Sequence, residues 1–148
     1  MKSLYQLFVV VGLMAILSAC SEDTPPTPAT VAELCSMEAN TLVQVEGKLD
    51  LPSFLSCLDS QCRIDLGDGG HDVMVELIAS ERPVSNMLRL PPRQFTPDDL
   101  SVVLDDGATE VDRNTAVSIT GMVKRPSAND CYLDAYSLRL AQDQAALP

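Results

Sequence analysis

The stretch Leu42-Val43-Gln44-Val45-Glu46-Gly47-Lys48-Leu49-Asp50-Leu51 decides how this chain folds. Leu42, Val43, Val45, Leu49 and Leu51 read as one long strand with a period near two, the mark of a strand with one buried face. Gly47 sits in its middle, and a glycine inside a strand marks a bulge or a sharp curl. The segment Thr115 to Lys124 repeats the pattern, with Val117, Ile119, Gly121 and Val123 on one face.

Working outward, Cys62-Arg63-Ile64-Asp65-Leu66 alternates and forms a second strand. Gly67-Asp68-Gly69-Gly70 is a hairpin turn, and Asp72 to Ile78 is a third strand. Ser80 to Asp99 contains Pro83, Pro91, Pro92 and Pro97, so it is an irregular crossing with at most one short helix. Ser101 to Leu104 and Ala108 to Val111 flank Asp105-Asp106-Gly107 as a small accessory hairpin. Pro126 to Asp130 is a turn, and Cys131 to Leu140 is the last strand, carrying Tyr132, Leu133, Tyr136 and Leu138. On the amino-terminal side, Thr30-x-x-Glu33 is a capping box. It opens a short helix ending near Asn40, with Val31, Leu34 and Cys35 on one face.

Helix, three strands, irregular crossing and two strands resemble the OB-fold. The resemblance rests on Val43-x-Val45-x-Gly47 and Val117-x-Ile119-x-Gly121-x-Val123, which look like its first and fourth strands. Within that group the chain is similar to small OB domains of exported bacterial proteins, of the tRNA-anti-like type. The fold implied is mainly β: a small five-stranded barrel with a short amino-terminal helix and an accessory hairpin. A β-sandwich is the alternative, but it asks for about seven strands.

The first residues carry an address. Lys2 precedes an apolar run from Leu7 to Leu17, broken only by Gly12. That is a secretory signal, shorter than the roughly 20 residues of a membrane span. Leu17-Ser18-Ala19-Cys20 is similar to the lipobox of bacterial lipoproteins. The resemblance implies removal of residues 1–19 and a covalent lipid on Cys20, and in a cell with two membranes it favours the outer membrane, facing the periplasm, because Ser21, not Asp, follows. Ser21 to Ala29, with Pro25, Pro26 and Pro28, then reads as part of an extended tether over 20–29. A domain occupies 30–140, and 141–148 form a loose tail.

The formal net charge is −11, and loss of Lys2 with the signal makes it −12. An acidic chain repels nucleic acid and anionic headgroups at long range, which leaves the lipid as the membrane link. Single-strand binding needs a basic groove and aromatic platforms, and Phe54, Phe95, Tyr132 and Tyr136 are the only aromatics after Cys20. Nucleic-acid or oligosaccharide binding is therefore only an alternative reading, by analogy with the fold.

Setting Cys20 aside leaves Cys35, Cys57, Cys62 and Cys131, an even number in an exported chain. Four cysteines allow three pairings, and the sequence leaves all three open. The favoured one joins Cys57 to Cys62 across a short loop and Cys35 to Cys131. A thiol-redox site at Cys57 and Cys62 is the functional alternative, although the spacing is not C-x-x-C.

Three arginines, Arg82, Arg89 and Arg93, bound a stretch without acids, and Lys124 with Arg125 sit at the last turn. Together they would form an anion or partner contact; separately, each would pair with a nearby acid. Asp65, Asp68 and Asp72 around one turn, and Asp105, Asp106, Glu110 and Asp112 around another, are candidate Ca²⁺ ligands without EF-hand spacing. Asp-Gly is also ordinary turn chemistry. His71 is the single histidine and reads as an exposed turn residue. With no recognisable catalytic constellation and no cofactor motif, the expectation is a non-enzymatic, lipid-anchored module for an envelope protein or small ligand.

Overall fold

The computed structural model describes residues 24–141. The expected signal segment 1–19, Cys20, the start of the expected tether and residues 142–148 lie outside the described residues. In chain order the elements are β1 (Thr27–Ala29), α1 (Val31–Leu34), β2 (Leu42–Asp50), β3 (Ser56–Leu58), β4 (Gln61–Gly67), β5 (Asp72–Ser80) and β6 (Met87–Arg89). A 3₁₀ turn (Pro97–Asp99), β7 (Val102–Val103), β8 (Glu110–Val111), β9 (Ala116–Ser127) and β10 (Asp130–Leu140) follow.

Five strands close into a barrel in the order β2-β4-β5-β10-β9 and back to β2. Every pair is antiparallel except β5 with β10. This is the OB-fold order: first, second, third, then fifth and fourth back to the first. One sheet closed on itself sets aside the sandwich alternative. The inward positions are aliphatic, including Val43, Val45, Leu49, Ile64, Leu66, Val75, Leu77, Val117, Ile119, Leu133 and Leu138, all at most 2% exposed.

The two glycines of the opening motif stand where the barrel bends. β2 pairs with β9 from Leu42 to Lys48, then with β4 from Lys48 to Asp50. A Cβ on Gly47 would lie 2.7 Å from Leu66 Cγ and 3.0 Å from the Gly67 carbonyl oxygen. Gly121 faces Ala135 next to a register shift in β10, and a Cβ there would lie 2.5 Å from the Asp134 carbonyl oxygen. Glycine at both places lets neighbouring strands approach where curvature is tightest.

Several local expectations change. The capping box exists: Glu33 Oε2 accepts from the Thr30 N–H at 3.0 Å and from its hydroxyl at 2.8 Å. The helix it opens stops at Leu34, well short of Asn40. Asn40 has a positive φ of 66°, and its N–H donates to the Val123 carbonyl at 2.7 Å. The chain is thus already joining β9 there, which competes with a longer helix. Within the expected tether, Thr27–Ala29 forms a strand that pairs in parallel with Val43–Val45. Pro28 is tolerated there because β1 is an edge strand.

The connection after β2 contains β3, joined to β4 by Asp59 and Ser60, both at positive φ as a two-residue hairpin turn requires. The proline-rich crossing contains β6, parallel to β5 and antiparallel to β7. The accessory hairpin is present as β7 and β8, and buried Leu88, Leu100, Val102, Leu104 and Val111 join it to the common core.

Both favoured disulfides form. Cys57 and Cys62 face each other across β3 and β4. Cys35 reaches Cys131, 96 residues away, with a Cα separation of 5.7 Å.

Candidate functional site

Aliphatic side chains fill the barrel interior, so the charged groups lie on its outer surface. Along β4 and β5 the outward residues alternate with the core. Arg63 on β4 faces Glu76 on β5, and Glu76 faces Asp134 on β10. Arg63 Nε lies 3.1 Å from Glu76 Oε2, and Nη1 lies 3.7 Å from Asp130 Oδ1. Its guanidinium stands 4.4 Å over the centroid of the Tyr132 ring. Burial first, and then the Glu76 charge, push the Tyr132 hydroxyl pKa up. A shallow depression of about 270 Å³ beside this cluster is lined by Ser56, Leu58, Gln61, Arg63 and Glu76.

The sequence did not single out Arg63 or Tyr132. The available signal was the alternation itself, which puts Arg63 between inward Cys62 and Ile64. Alternation does not reveal that Tyr132, 69 positions later, stacks on it.

The arginine island and the Lys124–Arg125 pair do not meet. Arg89 faces Ser80 at the end of β5, whereas Lys124 faces Tyr132, which faces Met74 near its start. From Met74 to Ser80 the strand covers about 20 Å. Arg89 is held by Glu110 through two bonds of 2.6 and 2.9 Å. Lys124 Nζ donates to Asn40 Oδ1 at 3.3 Å, and Arg125 Nη1 to the Met37 carbonyl at 3.5 Å. Arg82 and Arg93 enter no ion pair among the described residues.

In each acidic turn one carboxylate, Asp68 or Asp106, is committed to backbone N–H groups of its own turn. Asp68 Oδ1 accepts the N–H groups of Gly70 and His71 at 2.9 Å, which lowers its pKa. Asp65 instead comes near Asp50, its partner across β2 and β4, and Asp72. Burial, and then these two carboxylates, raise the Asp65 pKa. In the second cluster Asp106 accepts from Ala108 and Thr109, Asp112 from Thr115, and Asp105 from Ser137 and Arg139. Among the described residues, no three His, Cys, Asp or Glu side chains gather as a metal would require. His71 is an exposed turn residue, its Nδ1 3.7 Å from Asp68 Oδ1.

No family model matches the chain, and no curated protein matches it. Solved structures do resemble it. The hypothetical protein ygiW from E. coli is 18% identical over 76% of this chain and 88% of its own, with a TM-score of 0.48. An OBody bound to hen egg-white lysozyme is 18% identical over 80% and 94%, with a TM-score of 0.47. The telomere capping protein Ten1 from Saccharomyces pombe is 11% identical over 80% and 83%, with a TM-score of 0.42. These are likenesses of fold, and the assignment of an OB-like barrel stands on the strand order above.

Proposed function

We propose that this protein is a lipid-anchored envelope lipoprotein whose barrel is a non-enzymatic binding or scaffold module for another envelope protein or a small ligand. The observation that carries the binding role is the division of the barrel. Its interior is packed with aliphatic side chains, while its outer face exposes apolar groups beside the Arg63–Tyr132 cluster. Among the described residues the barrel interior is filled by side chains, and exposed apolar groups beside a charged cluster favour contact through the outer surface. The lipobox-like Leu17-Ser18-Ala19-Cys20 supports the anchor, and an acyl chain contributes about 0.8 kcal/mol per buried CH₂. Two disulfides fit an oxidising compartment.

Replacing Cys20 by Ser tests the anchor. The native protein is expected in the membrane fraction, resistant to salt and released by detergent. The variant is expected to lose that association, and a variant that stays membrane-bound removes the lipid anchor from the account. The binding role fails if the intact protein, cross-linked in cells, gives no specific partner.

A further inference from the structure

Two seams of the barrel are short. β2 meets β4 through Lys48–Gly67, Leu49–Leu66 and Asp50–Asp65. β5 meets β10 through Met74–Tyr132, Val75–Leu133 and Glu76–Asp134. Each seam therefore ends on two acidic residues that face each other directly. Facing like charges destabilise a strand pair.

The two seams differ in their cations. Arg63 Nε lies 3.1 Å from Glu76 Oε2, and Lys124 Nζ lies 4.0 Å from Asp134 Oδ2. Among the described residues, no ion pair reaches Asp50 or Asp65. Arg63, two residues before Asp65 on the same face of β4, is turned to Glu76 and Asp130. Lys48, two residues before Asp50 on β2, is exposed and faces Gly67. From β5, Asp65 faces uncharged Met74, with Glu76 and Asp72 on either side of it. Asp72 brings a third carboxylate, lying over Gly67 where a Cβ on that glycine would collide with its Oδ1. Burial first, then Asp50, then Asp72, push the Asp65 carboxyl above its ordinary 3.8.

The backbone couples this pair to barrel closure. Leu49 donates to the Thr115 carbonyl and accepts from the Asn114 N–H. Its neighbours Lys48 and Asp50 therefore turn their N–H and carbonyl groups to β4. Carboxylates that part at Asp50 and Asp65 loosen the bonds that hold β2 to β4.

We propose that the β2–β4 seam is an acid-responsive latch: a proton taken up between Asp50 and Asp65 supplies the positive charge that Arg63 and Lys124 supply at the β5–β10 seam, so the barrel closes more firmly as its surroundings acidify. An acid whose folded pKa lies above its unfolded one binds more protons in the folded chain. Stability is gained as pH falls through the folded pKa, and the gain is complete below 3.8. The latch stands independently of the lipid on Cys20.

Hydrogen exchange in the intact purified chain tests it, read as protection of the Lys48 and Gly67 amides relative to an unstructured chain. Between about pH 7 and about pH 5 protection should rise about threefold, the size of one facing pair. D65N should show the higher protection already at neutral pH and lose the response. Other distant carboxylates act equally in both chains, so the difference between them isolates the latch. Protection that stays flat or falls on acidification, or a D65N chain that keeps the native response, overturns it. An equal rise at the β5–β10 seam also overturns it, by making the response a property of the whole barrel. Where D65N does not fold, the Asp65 carboxyl is titrated by NMR in the native chain. A midpoint above 3.8 shared by the Lys48 and Gly67 amides supports the latch. A midpoint at or below that value, or one those amides do not share, overturns it.

Discussion

Cys35 and Cys131 tie the residue that caps the end of α1 to the second residue of the last barrel strand, across 96 positions of sequence. The bond holds the four-residue helix, with Val31 and Leu34 in the core, against the barrel. So short a helix is not stable alone.

The two bridges should therefore differ in weight. Closing a loop of nearly 100 residues restricts the unfolded chain by about 4.7 kcal/mol, against about 2 kcal/mol for the Cys57–Cys62 loop. In urea unfolding, C35A/C131A should lower stability clearly more than C57A/C62A. Equal losses would contradict the clamp.

Gly121→Ala should be among the most damaging small substitutions. Its Cβ would strike the Asp134 carbonyl, a backbone atom in a paired strand, so the strands must part. A loss of about 1–3 kcal/mol follows. Gly70→Ala, with only Asp68 Oδ1 at 3.7 Å and no positive φ, should fall within about 0.5 kcal/mol of the native chain. Thermal melting of both variants checks the contrast.

The Arg89–Glu110 pair gives the accessory strands a pH dependence. The Arg89 guanidinium, and then the Ser101 hydroxyl, hold the Glu110 carboxyl at about 2 instead of its usual 4.5. A depressed carboxylate stabilises above its unfolded pKa, and that stability is lost as pH falls from about 4.5 to 2. Glu110 is 38% exposed, so solvent screening keeps the effect below about 1 kcal/mol. Glu110→Gln should flatten stability across that window, as followed by amide exchange at Val102 and Val103.

Arg63→Ala should cost about 1–2 kcal/mol, from the lost stack on Tyr132 and the pairing to Glu76. Arg63→Lys keeps the charge but not the planar stack, so it should recover only part of the loss. Tyrosine fluorescence and denaturant unfolding together would register both changes. Full recovery by Lys would reduce the cluster to a simple ion pair.

Much of this barrel was legible in the sequence, for a physical reason. Its five strands each bury one face, so alternation marked β2, β4, β5, β9 and β10, and Gly47 marked the bend. β1 and β6 were not legible. Thr27–Ala29 and Met87–Arg89 are strands through pairing with distant residues, inside segments whose prolines read locally as irregular. The helix was drawn too long because its cap was visible, while the bond from Asn40 to Val123 was not. For the surface, composition revealed the arginine island. Only the register shows that Lys124 and Arg125 lie elsewhere and that Leu58 stands in a row with Ile78.

We propose a barrel held to a membrane through Cys20. The most direct measurement is the mass of the amino-terminal peptide of the protein purified from membranes. The expected peptide begins at Cys20, with a diacylglyceryl group on the thiol and an acyl chain on the new amino end. A peptide beginning at any other residue, or an unmodified Cys20, would contradict it.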